Sequence, residues 1–113
     1  MADYRRNLSK SVCEGLLGNK SLAHVPSIRD TVVIRYGDEL HVKYHQTSVV
    51  IFLPNGDIRL SSGGWHTTTT KSRINAAINA YGWYLYQEKG EWYIQNKNSD
   101  ARYTFTDGME VSE

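Results

Sequence analysis

Hydrophobic and polar residues alternate along the middle of the chain in a way that predicts paired β-strands. Two such stretches, residues 31–36 and 39–45, flank a Gly-Asp pair at 37–38. A two-residue turn between alternating stretches is typical of a β-hairpin. The resulting register places Val33 opposite Val42 on one face of this first hairpin.

A second hairpin is predicted around Asn55-Gly56, the strongest turn signal in the chain. Both central positions of a type I′ turn require positive φ, which Asn and Gly adopt at the lowest cost. This turn would pair Leu53 with Ile58 and would direct Arg59 away from the core. The expected core face then consists of Val49, Ile51, Leu53, Ile58 and Leu60.

The next stretch carries the periodicity of an amphipathic helix. One helical face would hold, at i, i+3, i+4 and i+7, the residues Ile74, Ala77, Ile78 and Tyr81. We therefore predict a helix over residues 71–81, with Gly82 as its C-terminal stop. The four threonines at 67–70 fit either a strand or a helix start with Thr69 or Thr70 as the N-cap.

Aromatic residues crowd a third predicted hairpin, formed by residues 83–88 and 91–95. Because side chains alternate along a strand, its residues divide between two faces. The core face holds Trp83, Leu85, Trp92 and Ile94. The opposite face, called the tyrosine face below, holds Tyr84, Tyr86 and Tyr93. Tyrosines in such a place can cover an apolar layer, join two subunits or stack on nucleic-acid bases.

These elements predict an α+β fold: an antiparallel sheet of about five to seven strands built from hairpins, with one helix packed against it. A weaker periodicity predicts a short helix near residues 5–17. We expect a single domain over residues 1–113, with a helical or irregular segment at 1–30, a sheet-and-helix core at 31–106 and a loose tail at 107–113.

Composition narrows the classes of function. The 113 residues include 13 Lys and Arg, 12 Asp and Glu, and one Cys. A net charge of +1 creates no global field that attracts a polyanion, and the lone Cys13 excludes an internal disulfide framework. The longest apolar run, residues 49–53, is too short to span a membrane. No signal peptide is recognisable, so we expect no membrane partner.

The charges are unevenly distributed along the chain. Residues 40–87 carry four basic side chains and one acidic one, whereas residues 88–113 carry three basic and six acidic ones. The basic block includes the glycine-rich loop and the helix start, where backbone N–H groups, hydroxyls and cations can bind an anion. Four basic residues in a stretch of this length are equally typical of an ordinary solvated surface.

Patterns for catalysis and metal binding are missing from the sequence. Residues 62–64, Ser-Gly-Gly, lack the Gly-x-Ser-x-Gly spacing of a nucleophile elbow, and no glycine-rich nucleotide fingerprint is present. His41 and His45 would lie about 13 Å apart on a strand, too far to share a metal. We therefore expect neither an enzyme nor a metal or cofactor site.

Trp65 lies in a glycine-rich loop at 61–65 and has two interpretations. It can anchor the core below the helix, or it can contact a ligand from an exposed position. The large area that a tryptophan buries favours the core.

Three stretches carry a more specific motif. They read Tyr-His-Gln-Thr-Ser-Val-Val at 44–50, Asn-Gly-Asp-Ile-Arg-Leu at 55–60, and Ser-Gly-Gly-Trp-His-Thr-Thr-Thr-Thr-Lys-Ser-Arg-Ile-Asn at 62–75. Together with Trp92-Tyr93, this pattern resembles a group of small tailed-bacteriophage proteins without an assigned activity. The resemblance covers about residues 31–95. It implies a phage origin and a setting in the host bacterial cytoplasm, and it supplies neither catalytic residues nor a ligand.

The leading hypothesis is a phage accessory protein that binds DNA or RNA and does not catalyse. Phosphate contacts would come from basic side chains and from N–H groups of the first helical turn. The candidate nucleic-acid-binding residues are Arg59, Trp65, His66, Thr69, Thr70, Lys71, Arg73 and Asn75. The resembling proteins most often have arginine in place of His66.

Two further hypotheses use other surfaces. A phage-encoded inhibitor of a host enzyme or of an anti-phage defence complex would act by protein–protein contact, through the tyrosine face and the acidic block at 88–113. A homo-oligomer would instead join its subunits through a sheet edge or through the tyrosine face.

Overall fold

The computed structural model describes residues 3–113, which form two helices and nine strands. The helices are α1, Lys10–Leu17, and α2, Thr68–Ile78, the latter continued by a 3₁₀ turn, Asn79–Tyr81. The strands are β1 (Leu22–His24), β2 (Thr31–Tyr36), β3 (Glu39–Tyr44), β4 (Thr47–Phe52), β5 (Asp57–Leu60), β6 (Trp83–Glu88), β7 (Glu91–Asn96), β8 (Arg102–Thr104) and β9 (Glu110–Ser112).

Two antiparallel sheets confirm the α+β class, although the strands number nine and not five to seven. The larger sheet has the order β1-β2-β3-β4-β5-β9, and the smaller one has the order β6-β7-β8. The third hairpin does not join the larger sheet but pairs with β8, and β9 occupies the edge beside β5. Helix α2 packs against β4 of one sheet and β6 of the other, and thus joins the two layers.

The first and third hairpins have the predicted registers. Val33 pairs with Val42 in the first, and Leu85 pairs with Ile94 in the third. These four side chains are buried, and so is Trp92. Two-residue turns fix both registers, because any slip by one residue would turn the apolar side chains to solvent.

The second hairpin differs from its prediction by one residue. Ile58 pairs with Phe52 and not with Leu53, and Arg59 lies opposite Ile51. Phe52 is fully buried, whereas Ile51 lies on the other face with Arg59 and is only half-buried. The observed core face of these two strands consists of Val50, Phe52, Ile58 and Leu60. Val49 is also buried, because a bulge in β4 turns it inward beside Val50.

Pro54 explains the shifted register. The turn contains Pro54, Asn55 and Gly56, and only Gly56 has a positive φ, of 92°. The fixed φ of proline suits the first central position of a type I turn, and a left-handed glycine then completes a three-residue loop. Asp57 N–H donates to the Asn55 side chain at 2.9 Å. The type I′ prediction is therefore wrong, because it ignored the proline before Asn55.

Helix α2 begins three residues earlier than predicted. Its N-cap is Thr67, whose hydroxyl oxygen accepts a hydrogen bond from the Thr70 backbone N–H at 3.2 Å. Thr69 and Thr70 therefore lie in the first turn, and the strand interpretation of the threonine run is wrong. Residues 79–81 tighten into the 3₁₀ turn, and Gly82 at φ 86° ends the segment as predicted.

The N-terminal segment is helical only over part of the predicted range. Residues 5–9 are irregular, and α1 begins at Lys10. The irregular part is nevertheless packed, because Leu8 is fully buried and its N–H donates to the Ala76 carbonyl at 2.7 Å. Cys13 is buried in the same layer, and burial raises the pKa of its thiol to about 12.

The C-terminal residues are ordered where a loose tail was predicted. Residues 110–112 form β9, which pairs with β5. The Trp83 indole N–H also donates to the Ser112 carbonyl at 2.7 Å, so the end of the chain bridges the two sheets. Val111 is buried in the core, and burial of this apolar side chain stabilises the docked position of the segment.

Candidate functional site

Two neighbouring recesses open on one side of the molecule, around the end of β3 and the start of α2. The aromatic recess, of about 380 Å³, is lined mainly by Tyr44, His45, Thr47, Val49, Trp65 and Thr70. The arginine recess, of about 320 Å³, is lined mainly by Arg5, Arg29, Asp30, Tyr44, Thr69 and Arg73. Tyr44 lines both, so the two recesses adjoin at this residue.

Trp65 stands at the wall of the aromatic recess with 70% of its surface exposed. It is the most exposed large hydrophobic residue in the described part of the chain, so the core interpretation of Trp65 is wrong. Its backbone is fixed nevertheless: its N–H donates to the Ser62 carbonyl at 3.1 Å, and its carbonyl accepts from Thr67 N–H at 3.0 Å. A rigid loop thus presents the indole ring to solvent.

Asp107 holds the other end of this loop. One carboxylate oxygen accepts the Ser62 N–H at 2.7 Å and the Ser62 hydroxyl at 2.8 Å. Partial burial by itself would raise the pKa of Asp107, but the hydrogen bonds from Ser62 and Gly64, together with nearby His66, favour the ionised form and hold the pKa below its usual value.

Gly63 allows the loop to approach β4. A Cβ at this position would overlap the Thr47 side chain, and the backbone has a φ of 64°. Only glycine satisfies both conditions without strain. Thr47 and the loop are therefore in direct contact, and both Thr47 and Ser62 line the aromatic recess.

Left-handed backbone conformations border both recesses. The described chain has four non-glycine residues with positive φ, and three of them, Ser27, Asp30 and His45, line a recess. Such conformations persist where the surroundings enforce them, and they cluster at functional sites. The His45 N–H donates to the Asp30 carbonyl at 3.0 Å, which fixes the boundary between the two recesses.

Arg73 is the anchored cation of the arginine recess. Its Nε donates to the Thr31 hydroxyl at 3.0 Å, and its guanidinium lies 5.6 Å from the centroid of the Tyr44 ring. Partial burial lowers the pKa of Arg73; nearby Tyr44 opposes this shift and nearby Arg5 adds to it. Arginine nevertheless stays protonated in proteins, so the recess keeps this charge.

Arg5 and Arg29 are the free cations of this recess. Both are exposed, and within residues 3–113 neither forms an ion pair with a carboxylate. Asp30 is the one acidic residue that lines the recess in the described chain, and its carboxylate lies 3.9 Å from the Nε2 atom of His45. Three guanidinium groups beside one carboxylate leave the recess positively charged.

The structure divides the candidate residues of the sequence into two groups. Trp65 and Thr70 line the aromatic recess, and Thr69 and Arg73 line the arginine recess. Thr70 is buried, and its hydroxyl accepts a hydrogen bond from the Thr67 hydroxyl at 3.0 Å. The residues that line neither recess are Arg59, His66, Lys71 and Asn75.

Arg59 and Asn75, two of the four residues outside the recesses, hold strands in place. Arg59 pairs with Glu110 at 2.9 Å and ties β5 to β9. Asn75 donates to the Leu85 carbonyl at 2.9 Å and accepts from Leu85 N–H at 2.7 Å, which fastens α2 to β6.

His66 and Lys71, the other two, gather around Trp92. The His66 ring stacks on Trp92 with centroids 4.3 Å apart. The Lys71 ammonium lies 5.8 Å from the Trp92 ring and 3.5 Å from the Gln87 side-chain oxygen. Both side chains therefore lie beside the smaller sheet.

The tyrosine face exists as predicted, and its groups contact one another. The rings of Tyr84, Tyr86 and Tyr93 form a row with centroids 5.6 and 5.7 Å apart. The Arg102 guanidinium lies 4.0 Å from the Tyr93 centroid, and it pairs with Glu88 at 3.0 Å. Hydrogen bonds to Tyr86 and Glu88 raise the pKa of Arg102.

The sequence did carry signals for the missed recess residues. His45 and Gln46 form the tight turn between β3 and β4, and Tyr44 directly precedes them; all three belong to the Tyr-His-Gln-Thr motif. Arg5 and Arg29 had no comparable signal, because they lie far apart in the chain and meet Arg73 only in the folded protein.

Two further features bear on the kind of site. Among residues 3–113 no three His, Cys, Asp or Glu side chains are grouped so that they could hold a metal ion. No helix of the described chain is both long and apolar enough to cross a membrane.

Comparison with known proteins identifies one family. A family model described as Kyanoviridae Gp96 protein matches residues 5–112, almost the whole chain. No curated protein and no solved structure matches the chain. The matched range includes both recesses and both sheets.

Proposed function

The chain belongs to the Kyanoviridae Gp96 family of phage proteins, and we propose that it is a non-enzymatic accessory protein that binds nucleic acid in the host cytoplasm. The observation that carries the proposal is the arginine recess, in which Arg5, Arg29 and Arg73 converge from three separate segments. Guanidinium groups match the geometry of phosphate oxygens and recognise them through paired hydrogen bonds.

The local arrangement compensates for the low overall charge. A net charge of +1 gives the molecule little long-range attraction for a polyanion. Three arginines in one recess concentrate positive charge where carboxylates are scarce, and the exposed Trp65 lines the adjoining recess. Basic grooves next to exposed aromatic rings are the usual means by which proteins bind nucleic acid without an enzymatic step.

The inhibitor hypothesis receives less support from the structure. Its acidic block is partly neutralised, since Glu88 pairs with Arg102 and Glu110 pairs with Arg59. The row of tyrosines is covered in part by Arg102. A partner that recognised this surface would have to displace or accommodate these internal contacts.

Salt-dependent binding tests the proposal. Labelled DNA and RNA oligonucleotides, single- and double-stranded, would be titrated with the protein between low and physiological salt while fluorescence anisotropy is recorded. With three phosphate contacts on a single strand, we expect the logarithm of affinity to fall with the logarithm of salt with a slope of about −2. No detectable binding of any of the oligonucleotides at low salt would contradict the proposal.

A matched pair of double variants locates the contacts. Arg5→Ala with Arg29→Ala removes the two free cations of the recess, and we expect the slope on a single strand to decrease in magnitude by about 1.4. Arg6→Ala with Arg35→Ala removes the same charge from exposed positions that line neither recess. The control pair should leave the slope close to that of the unmodified protein. If both pairs reduce the slope equally, the arginine recess is not the phosphate-binding site.

A further inference from the structure

We propose that the aromatic recess receives one unstacked base of a single-stranded nucleic acid while the arginine recess holds the adjoining phosphate. This inference rests on the proposed function and specifies its ligand: a single strand, gripped through one nucleotide at the boundary marked by Tyr44. It follows from the shared wall of the two recesses and from the different chemistry of each.

The aromatic recess offers the surfaces that a heteroaromatic ring requires. The indole of Trp65 provides an exposed π-face, and Val49 provides an apolar floor. The phenol ring of Tyr44, whose centroid lies 4.3 Å from that of the His45 ring, forms part of the wall. Bases stack on such rings in proteins that bind single strands. The recess, at about 380 Å³, lies near the lower end of the range for ligand pockets, which suits one ring system.

Polar groups at the rim can contact the edge of the base. Within residues 3–113, the Gln46 side-chain amide makes no hydrogen bond, so its donors and acceptor are available. Thr47 and Thr67 also line the recess, but the Thr67 hydroxyl is already hydrogen-bonded to Thr70 as the helix cap. An amide that can both donate and accept is able to pair with the Watson–Crick edge of a base.

The arginine recess supplies positive charge beside the aromatic recess, from one arginine that is held in place and two that are exposed. Arg73 is held by Thr31 and by the Tyr44 ring, so it provides a fixed donor. Arg5 and Arg29 are exposed and can close on a phosphate after it enters. Because the Arg73 guanidinium lies over the same tyrosine ring that lines the aromatic recess, phosphate and base would be bound on either side of Tyr44.

Duplex nucleic acid does not fit this arrangement. Bases within a duplex are stacked and paired, so a base enters a protein recess only when it is unpaired or extruded, which costs free energy. The tyrosine face offers no substitute, because its rings contact one another and Arg102 and line neither recess.

An abasic strand separates base binding from phosphate binding. A short labelled thymidine oligonucleotide, a chain of the same length made of abasic residues, and the matching duplex would be titrated against the full chain by anisotropy. We expect the thymidine strand to bind about 5- to 150-fold more tightly than the abasic strand, and the duplex to bind no better than the abasic strand. A uridine strand of the same length shows whether the site prefers RNA.

Trp65→Ala and Tyr103→Ala form the matched pair of variants. Both side chains are large and exposed, at 70% and 52%, so neither substitution removes core packing. Trp65→Ala should abolish most of the preference for the thymidine strand and leave the affinity for the abasic strand unchanged. Tyr103→Ala should alter neither affinity.

The outcomes distinguish this inference from the proposed function. Equal, salt-dependent affinity for thymidine and abasic strands would overturn the inserted base and leave phosphate binding standing. A duplex that binds as tightly as the single strand would overturn the preference for a single strand. If none of the probes binds, both the inference and the proposed function fail.

Discussion

Two surfaces of this molecule combine aromatic rings with arginine. They differ in whether these side chains already contact one another and a carboxylate of the protein. On the tyrosine face, three rings pack in a row, and Arg102 lies against Tyr93 while it pairs with Glu88. On the recess side, Trp65 is exposed, and Arg5 and Arg29 form no ion pair with a carboxylate of the described chain.

The contrast shows that composition alone does not identify a binding surface. Both regions contain the residue types that bind nucleic acid, yet the tyrosine face satisfies its own groups internally. An arginine that already has a carboxylate and a ring as neighbours gains little from a phosphate, because the existing contacts must first be broken. Unsatisfied groups around a cavity are therefore the more useful criterion, and the recess side meets it.

The largest expected effect concerns the glycines that shape each region. Gly63→Ala combines a positive φ with an overlap against Thr47, so we expect it to lower the free energy of unfolding by about 3 kcal/mol. Gly90, in the turn of the third hairpin, has a φ of 82° and no neighbour within 4 Å of an added Cβ. Gly90→Ala should cost only the backbone strain, about 1 kcal/mol.

Urea denaturation of both variants provides the measurement. The difference between the two losses of unfolding free energy gives the contribution of the overlap with Thr47. Equal destabilisation would mean that the loop shifts freely and that the aromatic recess is not held at this contact.

Charge reversal gives the next largest effect. Arg29→Glu replaces a free cation of the arginine recess by an anion, and we expect nucleic-acid affinity to fall about 10- to 100-fold. Lys97→Glu makes the same change at an exposed position after β7, where we expect less than a threefold loss. Anisotropy titrations at one fixed salt concentration compare the two. A larger loss for Lys97→Glu would shift the binding surface to the smaller sheet.

Asn75 lies between the two regions and is expected to affect stability only. Asn75→Ala removes both hydrogen bonds to Leu85, and we expect the free energy of unfolding to fall by about 1 to 3 kcal/mol. The salt dependence of binding should not change, since Asn75 lines neither recess. Asn98→Ala, at an exposed turn, is the control. A smaller salt slope for Asn75→Ala than for the unmodified protein would mean that Asn75 does contact phosphate.

The smallest effect is a pH dependence confined to the recess side. The folded pKa of Asp107 is below its ordinary value, so its ionised form stabilises the fold above about pH 4, and this contribution is lost as the pH falls further. We expect the stability difference between the unmodified protein and Asp107→Asn to be largest near neutral pH and to vanish in acid. A difference that grows on acidification would contradict the hydrogen bonds to Ser62.

The sequence predicted those parts of the fold that depend on short-range signals. The pairings of Val33 with Val42 and of Leu85 with Ile94 follow from two-residue turns and strand alternation. The register near Asn55 failed because Pro54 selects a different turn, a local effect that was overlooked. The order of the last residues could not be inferred, since β9 depends on a partner strand more than fifty residues away in the chain.

The site was predicted only in part for a similar reason. Trp65, Thr69, Thr70 and Arg73 lie in one motif, and the structure does bring them to the recesses. Arg5 and Arg29 join them from the N-terminal segment and from the loop before β2, and no periodicity links such distant residues. The placement of Trp65 was wrong because burial of tryptophan is a tendency, which a rigid loop held by Ser62 and Asp107 overrides.

The most direct test of the central claim is an NMR titration of the isotope-labelled protein with the short thymidine strand. The chain has three tryptophans, whose indole N–H signals report on separate places. Trp65 lies at the recess, whereas Trp83 and Trp92 belong to the smaller sheet. We predict that the largest shifts fall on the Trp65 indole and on the backbone of His45 and Gln46. Shifts concentrated on residues 84–104, with Trp65 unmoved, would contradict it.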